Sequence, residues 1–193
     1  MEVLRNEYRE GFLGIEIGIG SGVISVELLA EFPKLTMIAS EFSQIAQSCA
    51  RENAARILGG DAKIEHRLKL LTPKNSLEVF EPFSSSLAQE RSDFLITNPP
   101  YLVATSDEEV DLEVKDHEPH LALFSPPQDS VYFYRKLAEG AVHFLKPSGY
   151  LFAELPHERS NVIVDLFNEY NWETEIRLDL TGRERVLIAR LRS

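Results

Sequence analysis

The chain has 193 residues, 44% hydrophobic and 26% charged, with a formal net charge of −11. That length supports one good core; no apolar run reaches the ~18 residues a membrane span needs, and the charged start MEVLRNEYREGF lacks the apolar segment of a secretory signal. A single cysteine, Cys49, excludes an internal disulfide and fits a reducing, cytoplasmic setting, while the acidic balance without a Lys/Arg cluster argues against nucleic acid as a partner.

Apolar, strand-like runs alternate with amphipathic segments, which predicts an α/β domain over 1–193. FLGIEI (12–17) reads as the first strand and GVISVELLAEF (22–32) as the first helix. LTMIAS (35–40) is the second strand. SQIAQSCARENAARIL (43–58) is the second helix, with Ser43 as N-cap and Gly59-Gly60 as its stop. AKIEHRL (62–68) is a weaker third strand, and DFLIT (93–97) is the fourth. Residues 72–92 and 102–128 read as long loops or insertions, the second carrying the acidic run SDEEVDLEVKDHEP (106–119). SVYFYRKLAEGAVHFL (130–145) is a helix, KPSG a turn, YLFAEL (150–155) the fifth strand and ERSNVIVDLFNEYN (158–171) the last helix. TEIRLDL (174–180) and RVLIARL (185–191) are too close for a crossover, so they form an antiparallel hairpin closing a mostly parallel sheet.

The first strand runs into EIGIGSG, with Glu16 ahead of Gly18, Gly20 and Gly22. Glycines there permit a tight turn and close approach of a ligand to the backbone, at the strand ends where open α/β sheets bind ligands. Val23 stands where a dinucleotide fingerprint needs its third glycine, and no Gly-Lys-Ser/Thr follows, so pyrophosphate and P-loop readings fail. The remaining pattern suits a cofactor that joins an amino acid to a nucleoside. Glu41, at the end of the second strand, stands where an acid accepts both ribose hydroxyls.

The fourth strand ends in ITNPPYL (96–102). Two prolines cannot donate to a ladder, so the corner is rigid. Methyl transfer to a planar nitrogen needs that nitrogen's lone pair freed from delocalisation and aimed at the donor. The Asn98 side-chain carbonyl and the Pro99 backbone carbonyl are two acceptors for its N–H groups, and Tyr101 is a flat surface for the group that carries it.

These blocks resemble the S-adenosylmethionine-dependent release-factor glutamine methyltransferases, the HemK/PrmC family, from about residue 13 to the end. EIGIGSG resembles the family's glycine motif, ASEFSQIAQSCARENA its ribose-binding segment and FLITNPPYL its substrate motif. NPPY is shared with DNA adenine and ribosomal guanine methyltransferases. LEVKDHEPHLAL (112–123), FYRKL (133–137), FLKPSGYLFAEL (144–155) and DLTGRERVLIARL (179–191) resemble the family's later blocks and make the resemblance more specific.

The resemblance implies a Rossmann-like class I methyltransferase fold with a seven-stranded, mostly parallel sheet and a C-terminal antiparallel hairpin. It implies methylation of a glutamine side-chain amide, in the Gly-Gly-Gln loop of a peptide chain release factor. S-adenosylmethionine is the implied cofactor, S-adenosylhomocysteine the product, and neither a metal nor a membrane is involved. Carried over to this sequence, Glu16, Gly18, Ile19, Gly20, Ser21 and Gly22 hold the methionine part, and Glu41 with Phe42 the ribose side. Glu78 takes the place of the family's adenine-contacting acid. Asn98, Pro99, Pro100 and Tyr101 hold the amide, with Asn98 also near the cofactor. Glu154-Leu155-Pro156 stands where the family has Glu-Ile-Gly, and the family's N-terminal helical domain has no counterpart, so the reading is of a catalytic domain alone.

Two other readings stay open: a nucleic-acid amine methyltransferase, which calls for a basic track, and a truncated, non-catalytic methyltransferase-like protein. A metal pair at His117 and His120 is set aside because Pro119 lies between them and no other His or Cys is near. Cys49 and the aromatic run VYFYR (131–135) read as packing.

Overall fold

The computed structural model describes residues 2–60, 66–75, 77–87, 90–100, 102–103, 124–125, 129 and 131–192. Tyr101, the acidic run, His117 and His120 lie outside the described residues.

A seven-stranded sheet forms the centre of the fold. Its strands are β1 (Leu13–Ile17), β2 (Thr36–Ser40), β3 (Leu68–Leu71), β4 (Ser92–Thr97), β7 (Leu145–Glu154), β8 (Trp172–Leu178) and β9 (Glu184–Leu191). The order across it is β3-β2-β1-β4-β7-β9-β8. The first five are parallel, and β9 runs antiparallel to both β7 and β8. Two short strands, β5 (Leu102–Val103) and β6 (Phe124–Ser125), pair separately within the region read as a long loop.

The helices are α1 (Glu2–Glu7), α2 (Val23–Glu31), α3 (Gln44–Leu58), α4 (Glu81–Ser86), α5 (Tyr132–Gly140) and α6 (Ser160–Glu169). Side chains alternate along a strand, so β1 sends Leu13, Ile15 and Ile17 to one face, where Tyr134 and Leu137 of α5 and Ile163 and Phe167 of α6 pack. The other face carries Met37, Ala39, Phe94 and Phe152, packed with Val26 and Leu29 of α2 and Ala50 and Ala54 of α3. Burial on both faces is the reason the inner strands read as continuous apolar runs.

The expected class I architecture, with its closing hairpin, is what the chain adopts. Several boundaries differ. The third strand is Leu68–Leu71 rather than 62–68, because those residues pair in register with Met37 to Ser40 of β2. The segment 72–92, read as a loop or partly helical insertion, contains the short helix α4. The long helix expected over 130–145 stops at Gly140 and tightens into a 3₁₀ turn, Ala141–His143. Gly140 lies against the Phe80 ring, where an added Cβ would come within 2.5 Å. KPSG is no separate turn: it bulges inside β7, whose Leu145 pairs with Ser92 before pairing resumes at Tyr150 and Phe94.

Candidate active site

The carboxyl ends of β1, β2 and β4 converge. β1 lies between β2 and β4, with Ile17 opposite both Ser40 and Thr97. This pairing brings the glycine loop, Glu41 and Asn98 to one edge of the sheet.

The glycine loop is held by the end of β2. Gly18 and Ile19 donate their N–H groups to the Ser40 carbonyl at 2.9 and 3.0 Å, and Gly20 donates to Glu41 Oε2 at 3.0 Å. Gly18, Gly20 and Gly22 have φ of 73°, 55° and 89°, values that favour glycine. A Cβ at Gly18 or Gly20 would meet nothing within 4 Å, so the loop faces open space there. Gly22 is different: it is buried, and a Cβ would come within 3.2 Å of the Ala50 backbone. Its absence of a side chain serves the approach of α3 to α2. Ile19 is buried beneath the loop, while Ser21 is exposed and its carbonyl accepts from Asn53 Nδ2 at 2.9 Å.

Glu41 is oriented before any ligand arrives. Besides Gly20, it accepts the Ser43 N–H on Oε1 at 2.7 Å. Each oxygen keeps acceptor capacity for a hydroxyl. Ser43 caps α3 as expected, through Ala46 N–H at 3.3 Å. Gln47, missed by the sequence reading, donates from Nε2 to the Glu41 carbonyl at 2.7 Å and to Thr72 Oγ1 at 2.8 Å. It ties the acid to the loop after β3, and its position one turn into a capped helix is the signal that could have found it. Phe42 is 42% exposed beside this acid.

Glu16 points away from the α5–α6 face, by the alternation of β1, and is 1% exposed. Its Oε2 accepts the Ser25 hydroxyl of α2. Burial pushes its pKa up to about 8, with the nearby Glu41 charge adding to the rise and the Ser25 bonds opposing it. Glu16 thus lies under the loop and joins it to α2.

Glu78 stands apart. It is exposed, its carboxylate accepts from Asn75 Nδ2 at 2.9 Å, and its N–H donates to Asn75 Oδ1 at 3.0 Å. Its contacts close its own turn, and among the described residues its side chain makes no hydrogen bond to the glycine loop or Glu41.

At the other side Asn98 is exposed, Pro99 buried and Pro100 half-buried. Asn98 borders a recess with Ile24, Ile96, Phe152 and Val186, with Glu154 and Arg185 at its polar edge. Arg185 pairs with Glu154 at 3.6 Å and with Asp179 at 3.4 Å. Burial raises the Glu154 pKa, and the Arg185 charge opposes that rise. In the sequence Glu154 stands out only as part of a departure from the family pattern, and Arg185 carries no signal of its own.

The arrangement fits the implied cofactor class. The open side of the Gly18–Gly20 backbone leaves room for an amino-acid moiety, and Glu41 presents fixed acceptors for a ribose.

No protein-family model matches the chain. The chain is 31% identical over 193 residues to the release factor glutamine methyltransferase of Streptococcus pneumoniae, covering 97% of this chain and 62% of that protein. It is 35% identical over 178 residues to the enzyme of the same name from Cereibacter sphaeroides, covering 92% and 59%. The chain therefore spans about three fifths of the length of these relatives. Among solved structures, the release factor-specific protein-(glutamine-N5) methyltransferase of Alicyclobacillus acidocaldarius superposes with a TM-score of 0.59 at 18% identity, covering 99% of this chain and 88% of that one. At that identity the likeness is one of fold.

Proposed function

We propose that this chain, 31% and 35% identical to two release factor glutamine methyltransferases over most of its own length, belongs with the HemK/PrmC family and transfers a methyl group from S-adenosylmethionine to the side-chain amide nitrogen of a protein glutamine. The target we infer is the Gly-Gly-Gln loop of a peptide chain release factor. The observation that carries this reading is the β1–β4 pairing, which sets Asn98 beside the glycine loop.

In this reading Gly18, Ile19, Gly20, Ser21 and Gly22 form the bed for the methionine part, with Glu16 supporting it from below. Glu41 holds the ribose and Phe42 flanks it. Glu78, whose carboxylate is held by Asn75, is assigned to the adenine side. The cofactor supplies an electrophilic methyl on a sulfonium. The protein's part is to make an amide nitrogen nucleophilic. The Asn98 carbonyl and the Pro99 carbonyl accept its two N–H groups, fixing the amide plane so that the nitrogen lone pair, perpendicular to it, faces the methyl donor, and stabilising the positive charge that develops on nitrogen. The proton then leaves nitrogen for water. Pro100 keeps the corner stiff, and Tyr101, by its place in the motif alone, is assigned the flat surface for the amide.

The test is incubation with labelled S-adenosylmethionine and, in separate reactions, a release factor, a mixture of ribosomal proteins and DNA. Label on the release factor glutamine is expected. Label on DNA alone would overturn the proposal, and failure to bind the cofactor by calorimetry would favour a non-catalytic protein. Asn98→Ala should abolish transfer while leaving cofactor affinity within about tenfold, roughly 1.4 kcal/mol.

A further inference from the structure

We propose that Thr97 is a positioning residue that sets the Asn-Pro-Pro corner in register with the glycine loop; the proposal rests on the methyl-transfer reading above. Thr97 is the last residue of β4 and directly precedes Asn98. It is 2% exposed, and its hydroxyl donates to the Ile17 carbonyl at 2.8 Å. Ile17 is the last residue of β1 and directly precedes Gly18. One buried side-chain bond thus joins the final residue before the substrate corner to the final residue before the cofactor loop.

The bond falls at the last pair of the ladder. Thr97 is opposite Ile17, and past Asn98 come Pro99 and Pro100, neither of which has an N–H to give to β1. The Thr97 hydroxyl adds a side-chain donor to β1 at that end. Without it the buried Ile17 carbonyl loses this donor, and the two loops are free to shift relative to each other. In-line transfer tolerates little of that, since a displacement of about 1 Å costs on the order of 100-fold in rate.

A fold-supporting threonine and a positioning threonine differ in what their variants do. Thr97→Val keeps the shape and removes the donor, while Thr97→Ser keeps the donor. Steady-state methylation of a glutamine peptide, calorimetry with S-adenosylhomocysteine, thermal melting and crystal structures of both variants make up the experiment. Thr97→Val is expected to lower kcat about 10- to 100-fold, with KM and the cofactor dissociation constant within about threefold, and to move Asn98 relative to Gly18. Thr97→Ser is expected to restore kcat and the corner. A Val variant with wild-type kcat and an unmoved Asn98 would overturn the assignment. So would a Ser variant as impaired as Val, or a loss of kcat matched by loss of cofactor binding. If the wild-type protein methylates no glutamine, the functional reading fails, and the position of Asn98 in the Val crystal then decides the role of Thr97 by itself.

Discussion

Glu16 and Glu41 both adjoin the glycine loop and do opposite things there. Glu41 is bound by two backbone N–H groups on its open side, while Glu16 is closed in beneath. A carboxyl held above its ordinary value binds its proton more tightly in the native state than in the unfolded one. For Glu16 that contribution is complete below its ordinary 4.5 and is lost as pH rises through about 8. The empty protein should therefore lose stability between about pH 5 and 9, by on the order of a few kcal/mol. Glu16→Gln, neutral at every pH, should flatten that slope in urea unfolding series. An unchanged slope in the variant would mean that another group titrates. Glu41→Ala removes the acceptors for Gly20 and Ser43 as well as for a ribose. Cofactor affinity should fall at least about tenfold, roughly 1.4 kcal/mol, and calorimetry against S-adenosylhomocysteine checks it.

At the scale of elements, α2 and α3 meet through Gly22 and Ala50. Gly22→Ala places a side chain at a φ of 89° and 3.2 Å from the Ala50 backbone, so it is both strained and crowded. A loss of roughly 1–3 kcal/mol is expected in denaturant unfolding, and a neutral result would show that the helices separate freely. What was legible in the sequence follows the same division between local and distant causes. β1, β2 and α3 carry their own signals: continuous apolar runs, a Ser43 cap and a Gly59 stop with φ of 87°. β3 does not. Its placement at Leu68–Leu71 is set by β2, and by Arg67, whose guanidinium donates to the carbonyls of Leu29, Phe32 and Leu35. The end of α5 depends on the Phe80 ring lying against Gly140, a contact between residues sixty apart in sequence. The candidate site is legible where motif and strand end coincide, at Gly18–Gly22, Glu41 and Asn98. The Gln47 bond to Thr72 and the Thr97 bond to Ile17 join distant parts of the chain, and a linear pattern does not carry those partners.

Across the whole molecule the two edges of the sheet have different duties. The carboxyl edge carries the glycine loop, Glu41 and Asn98. The amino edge carries a buried carboxylate, Asp93, which is 6% exposed at the start of β4. Asp93 accepts the Leu13 N–H and the Lys146 ammonium, each at 2.9 Å, and also pairs with Arg9. One side chain thus clamps β1, β4, β7 and the segment after α1. Asp93→Ala leaves the Leu13 N–H and the Lys146 ammonium without it, and should cost roughly 2–4 kcal/mol, a drop of about 5–15 °C in Tm. Asn98, five residues along the same strand direction and roughly 16 Å away, makes no such clamp among the described residues and is exposed. Asn98→Ala should leave Tm nearly unchanged while it removes transfer. The two sites are far enough apart to act independently, so the double variant should show the Asp93 loss of stability and the Asn98 loss of activity, additive within about 0.5 kcal/mol. Melting and single-turnover transfer on the four proteins check this. A double variant markedly less stable than the sum would mean that the corner and the clamp are coupled through β4, and that the ligand edge of this sheet is part of what holds it together.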